Sequence, residues 1–143
     1  MSVEENKALV RRLVEEFWSN LTNLSVLDEL LAPDFIFNYA PPGVKPNREV
    51  YKQVMKAYSI GFPDFNVTID DMLAEGDKVA IRTTNRATNT GPFMGMPTTG
   101  KQTIVPQMSI LRIVDGKIIE EWTVANQLIA MQQMGLIPPT GRK

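Results

Sequence analysis

The chain has 143 residues, of which 43% are hydrophobic and 22% charged, and it carries a net charge of −1. This balance describes one globular domain able to bury roughly two-thirds of the surface its unfolded chain exposes, with no electrostatic pull toward nucleic acid or an anionic membrane. It holds neither cysteine nor histidine, which excludes disulfides, thiolate metal sites and Cys nucleophiles and removes the commonest general base and transition-metal ligand.

The opening Met-Ser-Val-Glu-Glu-Asn-Lys is acidic and helical in pattern, unlike a signal peptide. No run approaches the roughly 20 apolar residues of a membrane span. The expectation is a cytoplasmic protein with a single domain over residues 1–143, no metal and no nucleic-acid or membrane partner.

Ser2 followed by Glu5 is a capping-box pattern, and Leu9, Val10, Leu13, Val14, Phe17 and Trp18 recur at helical spacing. The first helix is predicted to end near Asn20. A short second helix is predicted over residues 26–31, with Ser25 as its cap and Pro33 closing it. Residues 35–39 read as an aromatic-rich strand. After a Pro/Gly loop, Asn47 is a good cap for a helix reaching about Ser59, with Val50, Tyr51, Val54, Met55 and Tyr58 on its buried side.

From Phe62 onward the period changes to two. A strand is predicted to run to about Ala74, with Phe65, Val67 and Ile69 on one face. The Glu75-Gly-Asp77 turn leads to a strand over residues 78–89. Val79, Ile81, Thr83, Asn85, Ala87 and Asn89 share its buried face, and Arg82, Thr84 and Arg86 lie opposite. Residues 102–114 form a strand that is apolar on both faces. Asp115-Gly116 is a hairpin signal, and residues 117–125 return as its partner. Asn126 to Met134 reads as a helix stopped by Gly135, and residues 136–143 as a tail.

Helices first and hairpin-linked strands afterwards predict an α+β fold: a curved antiparallel sheet with helices on one face. A strand greasy on both sides needs cover on both sides, which points to a homodimer.

The run Thr88-Asn-Thr-Gly-Pro-Phe-Met-Gly95 onward to Lys101, then Asp115-Gly-Lys-Ile-Ile-Glu-Glu-Trp122, then Gln132-Gln-Met-Gly-Leu-Ile-Pro138 resembles the SnoaL-like polyketide ester cyclases. These belong to the nuclear transport factor 2-like superfamily, whose fold is also called cystatin-like. The resemblance implies a cone-shaped domain, N-terminal helices on the concave face of the sheet, a deep apolar pocket, dimerisation and no cofactor. It also implies an intramolecular aldol closure assisted by a carboxylate and a histidine. The cyclases commonly carry His in the pattern Thr-His-x-Gly-x-Phe-x-Gly, where this chain has Asn89. They commonly carry Asp four residues after the strand Trp, where this chain has Asn126.

An amide donates and accepts but does not titrate near neutrality. Asn89 and Asn126 are therefore candidate catalytic hydrogen-bonding groups, able to stabilise an enolate oxygen but not to remove a carbon-bound proton. For Asn126, helix capping is the rival role. Asn38, Asn85 and Gln107 are candidate substrate-binding amides. Tyr39, Tyr51, Tyr58 and Trp122 are candidate pocket aromatics, and Phe93 and Met96 the apolar underside of a Gly-hinged lid. The base is sought among carboxylates. Asp64 is a candidate, with turn chemistry as its rival. Asp71 would face inward if no bulge intervenes, and one of Glu120 and Glu121 points to the concave side.

The function expected is that of an ester cyclase or a derivative. It would act on a small apolar carbonyl compound by proton transfer or aldol closure. The alternative is a non-catalytic binding or scaffold protein of the same fold. An epoxide hydrolase with Asp71 and Arg82 is a weaker third.

Overall fold

The computed structural model describes residues 2–40 and 42–138. Pro41 and the end of the expected tail, residues 139–143, lie outside them.

The capping box forms as expected. Glu5 N donates to Ser2 Oγ at 3.1 Å and Ser2 N to Glu5 Oε1 at 2.9 Å, opening α1, Val3–Arg12. The helix then widens into a π-helical segment, Leu13–Trp18, and stops there, short of Asn20. Ser19 N reaches back five residues to Val14 O at 2.9 Å, the signature of a π turn. The wider turn lets Leu13, Val14, Phe17 and Trp18 all enter the core.

Helix α2 is Val26–Leu30, and Ser25 makes no side-chain cap. The preceding turn already occupies the first donors, with Val26 N on Asn23 O and Leu27 N on Leu24 O. Pro33 does not close this helix either. Leu31 is already extended, and Pro33 sits within β1, Leu31–Phe37. A proline fits there because β1 is an edge strand with no second neighbour requiring its N–H.

Asn47 Oδ1 accepts from Val50 N at 2.9 Å and starts α3, Arg48–Gly61. Four strands follow: β2, Asn66–Glu75; β3, Lys78–Thr88; β4, Gln102–Val114; and β5, Lys117–Ala125. The chain closes on α4, Gln127–Gln133. The sheet order is β1-β5-β4-β3-β2. Strands β2 to β5 are antiparallel neighbours, but β1 runs parallel to β5, so the sheet is not wholly antiparallel. Only a hairpin forces antiparallel direction; β1 arrives from α2, and nothing local sets its sense. The β4–β5 turn places Asp115 at φ 50° and Gly116 at φ 75°, the two positive angles a two-residue turn of this hand requires.

Two register shifts decide which side chains enter. In β2 the pairing jumps from Ile69↔Thr83 to Asp71↔Arg82, so Asp71 leaves the face of Val67 and Ile69. In β5 it jumps from Ile113↔Ile118 to Arg112↔Glu120. The extra residue lets both Ile118 and Glu121 point inward, although strict alternation would separate them. The core then forms between the helices and this inner face: Val10, Leu13, Phe17, Leu27 and Tyr51 against Val79, Ile81, Leu111, Ile113 and Ile118. Helix α3 brings Tyr51 among three phenylalanines, with ring centroids 6.4 Å from Phe17, 5.2 Å from Phe35 and 5.4 Å from Phe37.

Because α3 carries Tyr51, its cap also matters for the interior. Asn47→Ala should cost about 1 kcal/mol in urea unfolding, and Asn47→Ser much less.

Candidate functional site

The inner face of the sheet is apolar at Val79, Ile81, Leu111, Ile113 and Ile118 and turns polar further along β3 and β4, at Thr83, Asn85, Gln107 and Ser109, and a carboxylate stands beside this change. Glu121 is 1% exposed. Its Oε1 accepts from Tyr51 OH at 3.1 Å and its Oε2 from Thr123 Oγ1 at 2.6 Å. Trp18 Nε1 donates to the same Tyr51 oxygen at 3.0 Å. The Tyr39 hydroxyl bonds to the carboxylate as well. Ser109 Oγ lies 2.8 Å from Thr123 Oγ1. Burial lifts the Glu121 carboxyl above the ordinary glutamate range, and the hydrogen bonds from Thr123, Tyr51 and Tyr39 only partly offset it. Burial, and then the nearby Glu121 charge, push the phenols of Tyr51 and Tyr39 well above theirs, so both remain neutral donors.

The polar band continues along β3 and β4. Thr83 pairs in register with Gln107, and Ile81 with Ser109. Asn85 Nδ2 donates to Gln107 Oε1 at 2.9 Å. Thr83 Oγ1 and Asn85 Oδ1 are buried and have no partner among the described residues. Buried polar atoms are paired in the great majority of cases, and those that are not have a specific reason, such as a catalytic role or a bound water.

At the open end of the band, the loop after β3 folds down on α3. Asn89 holds it there. Its Nδ2 donates to Gly61 O at 3.2 Å and Gly91 O at 3.1 Å, while its Oδ1 accepts from Thr99 N at 2.8 Å and Thr99 Oγ1 at 3.0 Å. All the amide's polar atoms are thereby occupied. The contact depends on Gly91, where a Cβ would stand 2.0 Å from Ile60 O. Phe93 packs on Tyr58 and Phe62, with centroids 4.8 Å and 5.3 Å away, so the apolar underside expected of this loop rests on an aromatic cluster. Met96 closes the tip, its N–H on Phe93 O. Burial raises the Tyr58 phenol, partly offset by a hydrogen bond from Gln127.

Asp64 is exposed and clamps the end of β3, accepting from Thr88 N at 2.6 Å and Thr88 Oγ1 at 2.7 Å. What burial it has raises its pKa, but the two Thr88 bonds prevail and leave it lowered, a poor trait for a base. Asn126 is exposed and caps α4, accepting from Ile129 N at 3.0 Å. Asn38 is exposed and donates to Glu120 Oε2 at 2.8 Å.

Two expected inward residues face out. Trp122 lies with Met108, Ile110 and Val124 along a cavity of about 410 Å³ on the outer face of the sheet, because the β5 bulge gives the inner position to Glu121. Asp71 and Arg82 line the same cavity. Of the expected site residues, the fold brings Tyr39 and Tyr51 to Glu121, and Asn85 to Gln107. It holds Asn89, Tyr58, Phe93 and Asp64 in or beneath the loop, and leaves Asn38, Asn126 and Trp122 apart from the interior.

Residues 8–134 match the family pattern of the SnoaL-like polyketide cyclases. The chain belongs to that family. IdmH from Streptomyces antibioticus, provisionally described as a polyketide cyclase, is 32% identical to this cyclase-family chain, with a TM-score of 0.79 over 91% of this chain and 98% of its own. AclR from Streptomyces galilaeus, provisionally described as a hydroxylase, is 30% identical, with a TM-score of 0.84 over 99% of this chain and 87% of its own. TsrD from Streptomyces laurentii shares the fold at a TM-score of 0.83 and 24% identity, over 96% of this chain and 99% of its own. No curated protein sequence matches this SnoaL-like chain significantly.

The residues that sequence reasoning passed over in this family member are Trp18, Thr83, Ser109 and Thr123, all ordinary core or strand residues in pattern. Parity did place Thr83 on the buried face, and Glu121 was one of a pair. Among the described residues no group of three or more metal-binding side chains occurs, and no helix is long and apolar enough to cross a membrane.

Replacing Asn89 by Ala orphans several buried groups at once. It should cost about 2–4 kcal/mol in chemical denaturation and open residues 90–100 to proteolysis. Glu121 gives a pH-dependent expectation. Its folded pKa lies above the unfolded one, so its favourable contribution is fully present below the ordinary glutamate pKa and is lost as pH rises through the raised value. Glu121→Gln should therefore melt above the wild type at neutral and alkaline pH, with the margin shrinking as the buffer is acidified to pH about 4.

Proposed function

We propose that the protein is a cofactor-independent cyclase of the SnoaL-like type, or a close derivative, acting in the cytoplasm on a small apolar carbonyl compound by proton transfer and intramolecular aldol closure. The observation that carries this reading is a carboxylate with a raised pKa on the same inner face as two unpartnered buried polar atoms, in a chain of this family. IdmH, described provisionally as a polyketide cyclase, supports the cyclase reading, whereas AclR carries a hydroxylase description. The ligand lies between the inner polar band and the aromatic cluster beneath the loop. Asn89 acts there by holding the loop and Asn126 by fixing α4, and neither amide touches the reacting atoms.

One observation favours a non-catalytic binding protein as the second reading. Phe17, Phe35, Phe37 and Tyr51 are fully buried between the helices and the sheet, where a deep apolar pocket was expected. Linear β-dicarbonyl methyl esters of increasing length, followed by thermal shift and mass spectrometry, separate the two. A rise in Tm with a ring-closed product supports the cyclase, and a rise without product supports the binder.

The protein is also a homodimer through the outer face of the sheet. Leu73, Met108 and Val124 are 66%, 63% and 77% exposed there, beside Ile110 and Trp122, an apolar patch of the kind that marks interfaces. Sedimentation should give twice the 16.0 kDa chain mass, and Met108→Lys together with Val124→Lys should give a folded monomer.

A further inference from the structure

We propose that Glu121 stores the proton that this reaction moves, and that Thr123 and Ser109 pass it between that carboxyl and the inner face of the sheet. The inference rests on the cyclase reading above and supplies the proton-exchanging group that Asn89 and Asn126 do not.

The direction of the hydrogen bonds carries it. A hydroxyl has one proton to donate. Trp18 Nε1 has only a donor, so Tyr51 accepts from it and spends its own proton on Glu121 Oε1. Thr123 spends its proton on Oε2, at 2.6 Å. With Glu121 ionised, Thr123 then has only lone pairs left for Ser109, which makes Ser109 the donor in the 2.8 Å contact that either hydroxyl can otherwise make. In that state every proton in the chain points at the carboxylate. Ser109 Oγ, at the far end and itself buried, keeps a lone pair that can receive a proton from a group bound against this face. One register step along the band lies Thr83, whose hydroxyl has no partner among the described residues.

With a carbonyl compound against this face, the C–H bond next to the carbonyl breaks. Its proton goes to Ser109 Oγ while Ser109 passes its own to Thr123 Oγ1, and Thr123 passes its own to Glu121 Oε2. The electron pair left on carbon moves to the carbonyl oxygen, where the Thr83 hydroxyl donates. The balance is one proton from carbon to Glu121: the ketone becomes an enolate and the carboxylate a carboxylic acid. Reversal returns the proton after ring closure. The titratable groups facing Glu121 are the phenols of Tyr51 on α3 and Tyr39 after β1, both held neutral by burial. Its register neighbours are apolar, Leu111 on β4 and Phe37 on β1.

Two measurements on the full-length protein test this. In carbon-13 carboxyl NMR, with Glu121→Gln assigning the signal, Glu121 should titrate above the ordinary glutamate range and move higher still in Thr123→Val, which removes a donor to the charged form. A midpoint in the ordinary range, or one unmoved by Thr123→Val, overturns the relay. In D2O, proton NMR follows methyl hydrogen exchange of acetophenone as a probe. The wild type should accelerate exchange over buffer, with a rate that rises through the Glu121 midpoint. Glu121→Gln should lose about 100-fold or more of that acceleration together with the pH dependence. Ser109→Ala should lose as much and Ser109→Thr little. An acceleration and pH profile that survive Glu121→Gln overturn the proposal and leave the cyclase reading standing. A folded wild type that does not accelerate exchange also overturns it, while ring closure of the ester panel judges the cyclase reading separately.

Discussion

A β-strand can hide only every second side chain, and the interior of this protein depends on two places where that rule is broken. The β5 bulge turns Glu121 inward without expelling Ile118, and the β2 bulge turns Asp71 outward after Ile69. Each is a shift of one residue, and each inverts the face of everything beyond it. Together they choose which carboxylate the core contains and which aromatic, Trp122, the outer face receives.

A lone carboxylate surrounded by phenylalanine and leucine opposes folding unless donors compensate it. Here the compensation comes from hydroxyls, one of them held in turn by the Trp18 indole, with no cation among the influences on Glu121. This distinguishes the arrangement from a salt bridge. An arginine beside Glu121 would hold it permanently ionised, whereas neutral donors leave both protonation states within reach. The raised pKa is therefore a consequence of packing that leaves the group usable for proton exchange, and sites of this kind commonly sit at some expense of stability.

The amides hold the frame. Asn89 binds the ends of its loop to α3, Asn126 starts α4, Asn47 starts α3, and Asp64 closes the end of β3 onto the β2 entry. These contacts keep the loop and both helices over the polar band, so that the unpartnered atoms of Thr83 and Asn85 face an interior instead of open solvent. Shape and chemistry are divided between different residue types: carboxamides and short-range caps for the frame, hydroxyls and one carboxyl for the interior.

Much of the architecture was legible from residues alone, because its signals are local. The capping box, the Asn47 cap, the Asp115-Gly116 turn, the alternation of β3 and the stop at Gly135 each depend on neighbours within a few positions, and each is where periodicity put it. Motif order was enough to indicate the family. The site was only partly legible. Asn85, Gln107, Tyr39 and Tyr51 could be singled out by type and parity, but the choice between Glu120 and Glu121, and the fate of Asp71, depended on bulges. The parallel pairing of β1, the π turn at Leu13–Trp18 and the meeting of Trp18, Tyr51 and Glu121 also needed the folded chain. A bulge forms where packing of distant elements makes an extra residue cheaper than a broken core, and no local pattern records that comparison. The sequence by itself determined the elements and their order; tertiary packing decided which acid is buried, because only the assembled sheet and helices set the register that buries it.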